Sequence, residues 1–116
     1  LKLVIGAPSG TPVPPNSGAP VETRLFPVAG ICGIDPASAA ISANLTVTQT
    51  TAGGELRAFP GNLALPVSST VSFRAGATRA NNAILGLATD GSGTIAIHNT
   101  SAGSVHVILD VNGTFR

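Results

Sequence analysis

The chain has 116 residues, a net charge of +1 and only 9% charged residues, whereas soluble domains usually carry about 25%. Its apolar residues form short, strand-length runs, which excludes a membrane-spanning helix. The six lysines and arginines are scattered, which argues against nucleic acid as a partner because such binding normally uses clustered cations. Copies of so weakly charged a chain repel each other little, which favours a homo-oligomer or polymer.

The N-terminal part is predicted to be a short strand on a long tether. Residues 1–7 are mostly apolar and have strand propensity. Residues 8–21 form a Pro-rich linker with five prolines, and proline lacks the backbone donor that a sheet requires. At about 3.1 Å per residue this linker spans about 40 Å, so the strand can reach a neighbouring molecule. The first apolar run is too short for a signal-peptide core, so we interpret the chain as the mature form of an extracellular or cell-surface protein.

Residues 22–116 are predicted to form one all-β domain. Strict alternation of apolar and polar residues over 41–48 and 104–111 predicts two half-buried strands. Shorter strands are predicted at residues 25–28, 55–59, 70–74, 83–87 and 94–98. Strands at such short intervals are typical of an antiparallel β-sandwich, of jelly-roll or Ig-like topology.

Turn residues separate these strands. The turn at 51–54 is expected to join strand 41–48 to a partner strand at 55–59. The Asp-Gly-Ser-Gly sequence at 90–93 is a hairpin signal before the strand at 94–98. No segment has the periodicity of a helix. Asp35 followed by proline is typical of the start of a single helical turn, with Asp35 as its cap.

Four segments carry a resemblance to a known family: residues 24–34, 43–49, 73–83 and 105–115. Together they resemble a widespread β-rich domain of secreted bacterial surface proteins. The resemblance implies a non-catalytic module carried on larger exported proteins, and it assigns no active-site residue. The chain departs from the family pattern by Glu22 before Thr-Arg, where the family has Asp, and by Thr114 in the closing motif, where the family has Tyr. Its apolar, Pro-rich N-terminus also differs, which leaves the first strand without the family's usual anchors.

No reaction motif, cofactor motif or metal site is predicted. His98 and His106 would approach each other if their strands formed a hairpin, but suitable further ligands are scarce. The five carboxylates are not arranged as a glycosidase pair. Cys32 is the only cysteine, so it is either a small buried residue or a bridge between subunits.

Two groups of polar residues are candidates for other roles. Arg79, Asn81 and Asn82 are expected to form a loop held by side-chain-to-backbone hydrogen bonds, with Asp110 as an ion-pair partner of Arg79 or Arg24. Three asparagines begin glycosylation triplets, and the one in a predicted loop is favoured. They are Asn99, Asn44 and Asn112.

The composition favours a structural protein over an enzyme. We expect an exported subunit whose N-terminal strand adds to the sheet of a neighbouring subunit and builds a filament or layer. The donor-strand residues would be Leu1, Leu3, Val4 and Ile5. The alternative is a carbohydrate-binding or adhesive module of a larger secreted protein. A glycan is not favoured as partner because the chain lacks Trp and Tyr and has only four Phe for stacking.

Overall fold

The computed structural model describes residues 2–5, 23–31, 33–101, 103 and 105–116, and for residues 2–5 it describes the strand and its pairing. Leu1, the predicted linker at 8–21 and Cys32 lie outside the described residues. The described residues form eight strands. They are β1 (Lys2–Ile5), β2 (Thr23–Pro27), β3 (Ala40–Thr48), β4 (Gly54–Pro60), β5 (Val71–Phe73), β6 (Arg79–Gly86), β7 (Thr94–Asn99) and β8 (His106–Phe115). No helix among these residues is long and apolar enough to cross a membrane.

The strands form two four-stranded antiparallel sheets packed face to face. Sheet A has the order β1-β8-β3-β6, and sheet B has the order β2-β7-β4-β5. The chain therefore pairs first with last, second with seventh, third with sixth and fourth with fifth, and successive pairs alternate between the sheets. This order is that of a jelly roll. The predicted β-sandwich is confirmed, and the jelly-roll topology replaces the Ig-like alternative.

Both predicted hairpins are wrong. The turn at 51–54 leads from β3 in sheet A to β4 in sheet B, and the turn at 90–93 leads from β6 in sheet A to β7 in sheet B. Among the described strands, β4 and β5 are the only consecutive pair that shares a ladder. The composition of a turn indicates where the chain reverses, but in this fold nearly every reversal crosses the sandwich.

The core lies between the sheets and follows the predicted alternation. In β3, Ile41, Ala43, Leu45 and Val47 are buried, while the alternating residues Ser42, Asn44 and Thr46 are partly exposed. Leu109 in β8 and Leu56 in β4 are equally buried. Burial of each such side chain stabilises the fold by about 1.5–3 kcal/mol.

Side-chain hydrogen bonds fix two turns at one end of the sandwich. The Asp35 carboxylate accepts a hydrogen bond from the backbone N–H of Ala37 at 2.8 Å, so Asp35 caps this turn as predicted, but the turn itself is not helical. Asp90 accepts a hydrogen bond from the N–H of Ser92 at 2.9 Å in the same way. The Ala37 N–H and the Arg116 guanidinium hold the pKa of Asp35 below its ordinary value.

Candidate functional site: the strand edges

A sandwich leaves four strands at the edges of its sheets, and each edge presents backbone groups that a further strand can pair with. Sheet A ends in β1 and β6, and sheet B ends in β2 and β5. Addition of a strand to an edge is the association that the sequence predicts. The four edges are therefore the candidate functional site.

The first edge strand, β1, lies against β8 of its own chain. The ladder pairs Lys2 with Asp110, Val4 with Ile108 and Ile5 with Val107. The sequence predicted that this segment is a donor strand for a neighbour, with Leu1, Leu3 and Ile5 filling the neighbour's core groove. In the single chain these strand residues instead complete sheet A, and the backbone of β8 anchors them. A neighbour's strand must therefore displace β1, because the sheet has no vacant position beside β8.

The other edge of sheet A, β6, is long and open. It has eight residues and, among the described strands, pairs with β3 alone, in a ladder that runs without a register shift from Ala40–Gly86 to Val47–Arg79. Residues 79–82 and Ile84 are exposed, and Ile84 exposes 70% of its surface. An edge of this length that no described element covers is a site at which another strand can add.

The edges of sheet B are less accessible. The β5 strand has three residues, and β2 has five and ends in Pro27, which cannot donate to a ladder. The outer face of sheet B is also partly covered, since Phe59 and Ala96 face away from the core yet are buried. The Arg57 guanidinium, on the same face, donates a hydrogen bond to the carbonyl of Pro66 at 3.0 Å. The connection 61–69 is thereby fastened to this face.

The predicted polar cluster lies in a strand rather than in a loop, and its members separate. Asn82 lies opposite Asn44 on the outer face of sheet A, and Asn44 lies opposite Asp110 on its other side. Arg79 lies opposite Val47, three positions along the strand, so the register does not bring it beside Asp110. The side chain of Asn81 donates a hydrogen bond to the carbonyl of Thr70 at 2.9 Å. This contact ties the edge strand of sheet A to sheet B.

The two histidines lie in different sheets. His98 belongs to β7 in sheet B, and its Nδ1 is 2.6 Å from the hydroxyl oxygen of Thr23. Burial lowers the pKa of His98, and the positive charge of Arg57 lowers it further. His106 lies in β8, opposite Thr48. In the described ranges no three His, Cys, Asp or Glu side chains are grouped so that they could hold a metal ion.

The three glycosylation asparagines differ in accessibility. Asn99, the favoured one, is only 3% exposed, and its Nδ2 donates a hydrogen bond to the carbonyl of Gly103 at 3.0 Å. Its Oδ1 accepts from the N–H and the hydroxyl of Ser101, at 2.9 and 2.7 Å. A glycan on Asn99 is incompatible with this buried network. Asn112 is exposed, and Asn44 is half-buried, with its Nδ2 3.4 Å from the Thr46 hydroxyl.

A cavity of about 300 Å³ lies beside the two side-chain-capped turns. It is lined by Pro36, Ala37, Ser38, Ala39, Leu87, Ala88, Thr89, Gly91 and Gly93. The hydroxyl of Ser38 is buried and has no hydrogen-bond partner within the described part of the chain. The lining contains no aromatic side chain, so it provides no surface on which a sugar ring could stack. Sequence reasoning missed this cavity because its residues come from two distant turns of ordinary composition.

Comparison with known proteins identifies a fold rather than a family. No protein-family model matches the chain, and no curated protein is significantly similar to it. The structure is similar to that of the tobacco streak virus coat protein dimer, with a TM-score of 0.54 and 12% identity, over 100% of this chain and 88% of that chain. A second structure of this coat protein, in a C2 crystal form, has a TM-score of 0.49 and 12% identity, over 97% of this chain and 86% of that chain. At this level of identity, the first likeness shows that this chain shares the β-sandwich fold of a viral coat protein.

Proposed function

We propose that this chain is a non-catalytic structural subunit that assembles with copies of itself outside the cell, as a filament or layer. Assembly proceeds by exchange of β1, so that the strand of one subunit occupies the place beside β8 of the next. The observation that carries this proposal is the attachment of β1. Among the described strands β8 is its only neighbour, and 17 residues separate β1 from β2. The coat-protein likeness supports the structural class, and the resemblance to secreted surface domains supports the location.

The tether is long enough for exchange. Residues 6–22 reach about 50 Å when extended at about 3.1 Å per residue, and the longest dimension of the chain is 37 Å. The tether can therefore pass from one subunit to the β8 edge of an adjacent one. Head-to-tail exchange of this kind produces an open filament unless the rotation between subunits closes a ring.

An exchanged strand makes the same ladder as the intramolecular one. Lys2 still faces Asp110 and Val4 still faces Ile108, whichever chain supplies β1. The exchange therefore adds no new strand contacts, and the balance depends on concentration and on contacts elsewhere between the subunits. We expect a population of assembled chains that rises steeply with protein concentration.

Disulfide trapping tests the exchange in a Cys32→Ser background. Directly opposed residues of neighbouring antiparallel strands have Cβ atoms about 4.5–5.5 Å apart, which a disulfide can bridge with slight adjustment. A Val4→Cys chain is mixed with a size-tagged Ile108→Cys chain, refolded together at high concentration and oxidised. Exchange predicts a crosslinked heterodimer on a non-reducing gel, and electron microscopy of the same sample should show ordered assemblies.

The matched control replaces Ile108→Cys by Thr114→Cys, which is on the same strand but opposite Ile41. Crosslinking to position 108 and not to position 114 would support exchange in register. If the double variant Val4→Cys, Ile108→Cys forms only the intrachain bridge and the mixture stays monomeric, strand exchange is wrong. Dispersed single particles at every concentration would reject self-assembly as a whole.

A further inference from the structure

We propose that β6 is a second self-association edge, at which two copies of this chain pair antiparallel around a two-fold axis through Asn82. The partner is the same strand of a second copy, and pairing joins two sheets A into one eight-stranded sheet. This interface extends the proposed self-assembly to a different edge. It does not require the exchange of β1.

The backbone groups of β6 that face outward can be assigned. The N–H of Leu87 donates to the carbonyl of Ala39 at 2.9 Å, which continues the β3–β6 ladder beyond its last pair. The direction of the backbone N–H and C=O groups alternates along an antiparallel strand. The odd-numbered residues of β6 therefore direct their N–H and C=O groups toward β3. Ala80, Asn82 and Ile84 therefore direct their amides and carbonyls to the free edge, where no described strand is hydrogen-bonded to β6.

This edge lacks the features that usually prevent strand addition. Residues 79–86 contain no proline, lysine or acidic residue, and the β3–β6 ladder has no bulge. Natural edges are normally protected by such residues, by bulges or by shortness. The β5 strand is short and β2 ends in proline. Within the described chain, β6 is thus the edge with the longest unprotected run of backbone.

The fold also holds β6 in position before a partner arrives. Its inner side carries the ladder to β3, and the Asn81 side chain is hydrogen-bonded to the Thr70 carbonyl at 2.9 Å. An edge that is already ordered loses little conformational entropy on pairing. The strand is therefore prepared for a partner rather than folded by it.

One register satisfies both the backbone and the side chains. With Asn82 on the two-fold axis, it faces Asn82 of the other copy, and Ala80 faces Ile84 in both directions. All three residues present their backbone groups to the edge, so each opposed pair exchanges two N–H···O bonds. The 70% exposed Ile84 side chain covers Ala80 of the other copy, and the two Asn82 amides can hydrogen-bond to each other. A slip of one residue would oppose inward-facing and outward-facing groups and break the ladder.

Charge does not oppose this pairing. Arg79 is the only charged residue of β6, and in this register the two copies of Arg79 are about 20 Å apart along the strands. At that distance salt screens their repulsion. The surface buried between two β6 strands is narrow, so the β6–β6 contact alone is weak and its population depends on protein concentration. It gains strength where several copies are already linked.

Single cysteines in the Cys32→Ser background test the register. Asn82→Cys should form a symmetric disulfide dimer by itself, because the axis brings position 82 against its own copy. A mixture of Ala80→Cys and Ile84→Cys chains should crosslink at least tenfold more than either chain alone. Ser72→Cys, on the exposed position of the β5 edge, is the matched control and should not crosslink.

A second measurement does not depend on cysteine. Ile84→Lys should lower the dimer fraction in sedimentation velocity at least tenfold and leave the thermal unfolding midpoint unchanged, whereas Ile84→Thr should retain most of the dimer. In hydrogen exchange, the amides of Asn82 and Ile84 should become protected as concentration rises. The proposal is overturned if Asn82→Cys crosslinks no more than Ser72→Cys, or if these amides are already protected in the dilute monomer.

The crosslinking tests of the two proposed interfaces have independent outcomes. Loss of the crosslink between positions 4 and 108 with retention of the Asn82→Cys dimer would reject strand exchange and support pairing at β6. The reverse result would reject pairing at β6 alone.

Discussion

Sheets A and B cover the same core, but they expose different groups to a partner. Sheet A exposes backbone: the free side of β6 is unpaired, and β1 is held by a single neighbour. On the side of sheet B, apolar side chains such as Leu63 and Val67 in the connection 61–69 are exposed, while the edges of the sheet are short or end in proline.

This difference between the sheets decides how precisely each can position a partner chain. A backbone edge fixes the direction and the register of a partner, because its donors and acceptors repeat at a set spacing. Scattered apolar side chains stabilise contact without fixing its geometry. Ordered assembly is therefore expected to depend on sheet A, and substitutions on the outer face of sheet B are expected to alter local stability but not the order of the assembly.

The largest effect is expected where the two sheets are equal, in the shared core. Leu45 in sheet A and Leu56 in sheet B are both fully buried. Leu45→Ala and Leu56→Ala should each lower the free energy of unfolding by about 2–5 kcal/mol, because each removes apolar contacts and leaves a cavity. Urea unfolding measures both, with the exposed Ile84→Ala as a control that should change stability by about 0.5 kcal/mol or less. A loss below about 1 kcal/mol in one sheet only would contradict a core shared by both sheets.

A smaller effect on stability is expected where Arg57 attaches the connection 61–69 to the outer face of sheet B. The Arg57 guanidinium donates to the Pro66 carbonyl at 3.0 Å and to the Glu55 carboxylate at 2.8 Å. Arg57→Gln should lower the free energy of unfolding by about 1 kcal/mol and speed hydrogen exchange of the amides in 61–69. Arg74→Gln, at an exposed position, is the control and should leave those amides unchanged. Exchange that is unaffected by Arg57→Gln would show that the connection is held by other contacts.

The sequence predicted the strands better than their partners. Alternation over 41–48 located β3 to within one residue, because one face of that strand is buried and the other is partly exposed. The partners of β3 are β6 and β8, which are distant in the chain. Turn composition is local and carries no information on such pairing. The predicted hairpins failed for this reason.

The β6 edge of sheet A was missed because an edge strand needs few apolar residues. Residues 79–82 have polar and small side chains and were interpreted as a loop, yet they are the exposed half of β6. The far end of β8 was missed for a related reason. Asn112 and Gly113 interrupt the alternation, while a bulge at Ser42/Ala43 allows Phe115 to pair with Ala40. Backbone hydrogen bonds hold such segments in a sheet, and side-chain periodicity does not report them.

The smallest effect is expected from protonation of His98 on the covered face of sheet B. Burial, and then the charge of Arg57, lower the pKa of His98 from 6.5. Well above pH 6.5 the imidazole is neutral in both the folded and the unfolded chain, so its contribution to stability is complete. As the pH falls through 6.5 the unfolded chain binds the proton first, and the free energy of unfolding decreases until the pH passes the folded pKa.

The carboxylates of Asp35, Glu55 and Asp90 have lowered pKa values, so they change stability at more acidic pH. The change in the free energy of unfolding between pH 7.5 and 5 therefore reports His98 and not these carboxylates. His98→Gln should flatten the decrease in that interval, and Arg57→Gln should reduce it by raising the pKa of His98, whereas Arg74→Gln should not. An NMR titration midpoint of the His98 ring at or above 6.5 would mean that this face of sheet B is open to water, and the contrast between the two sheets would then rest on their edges alone.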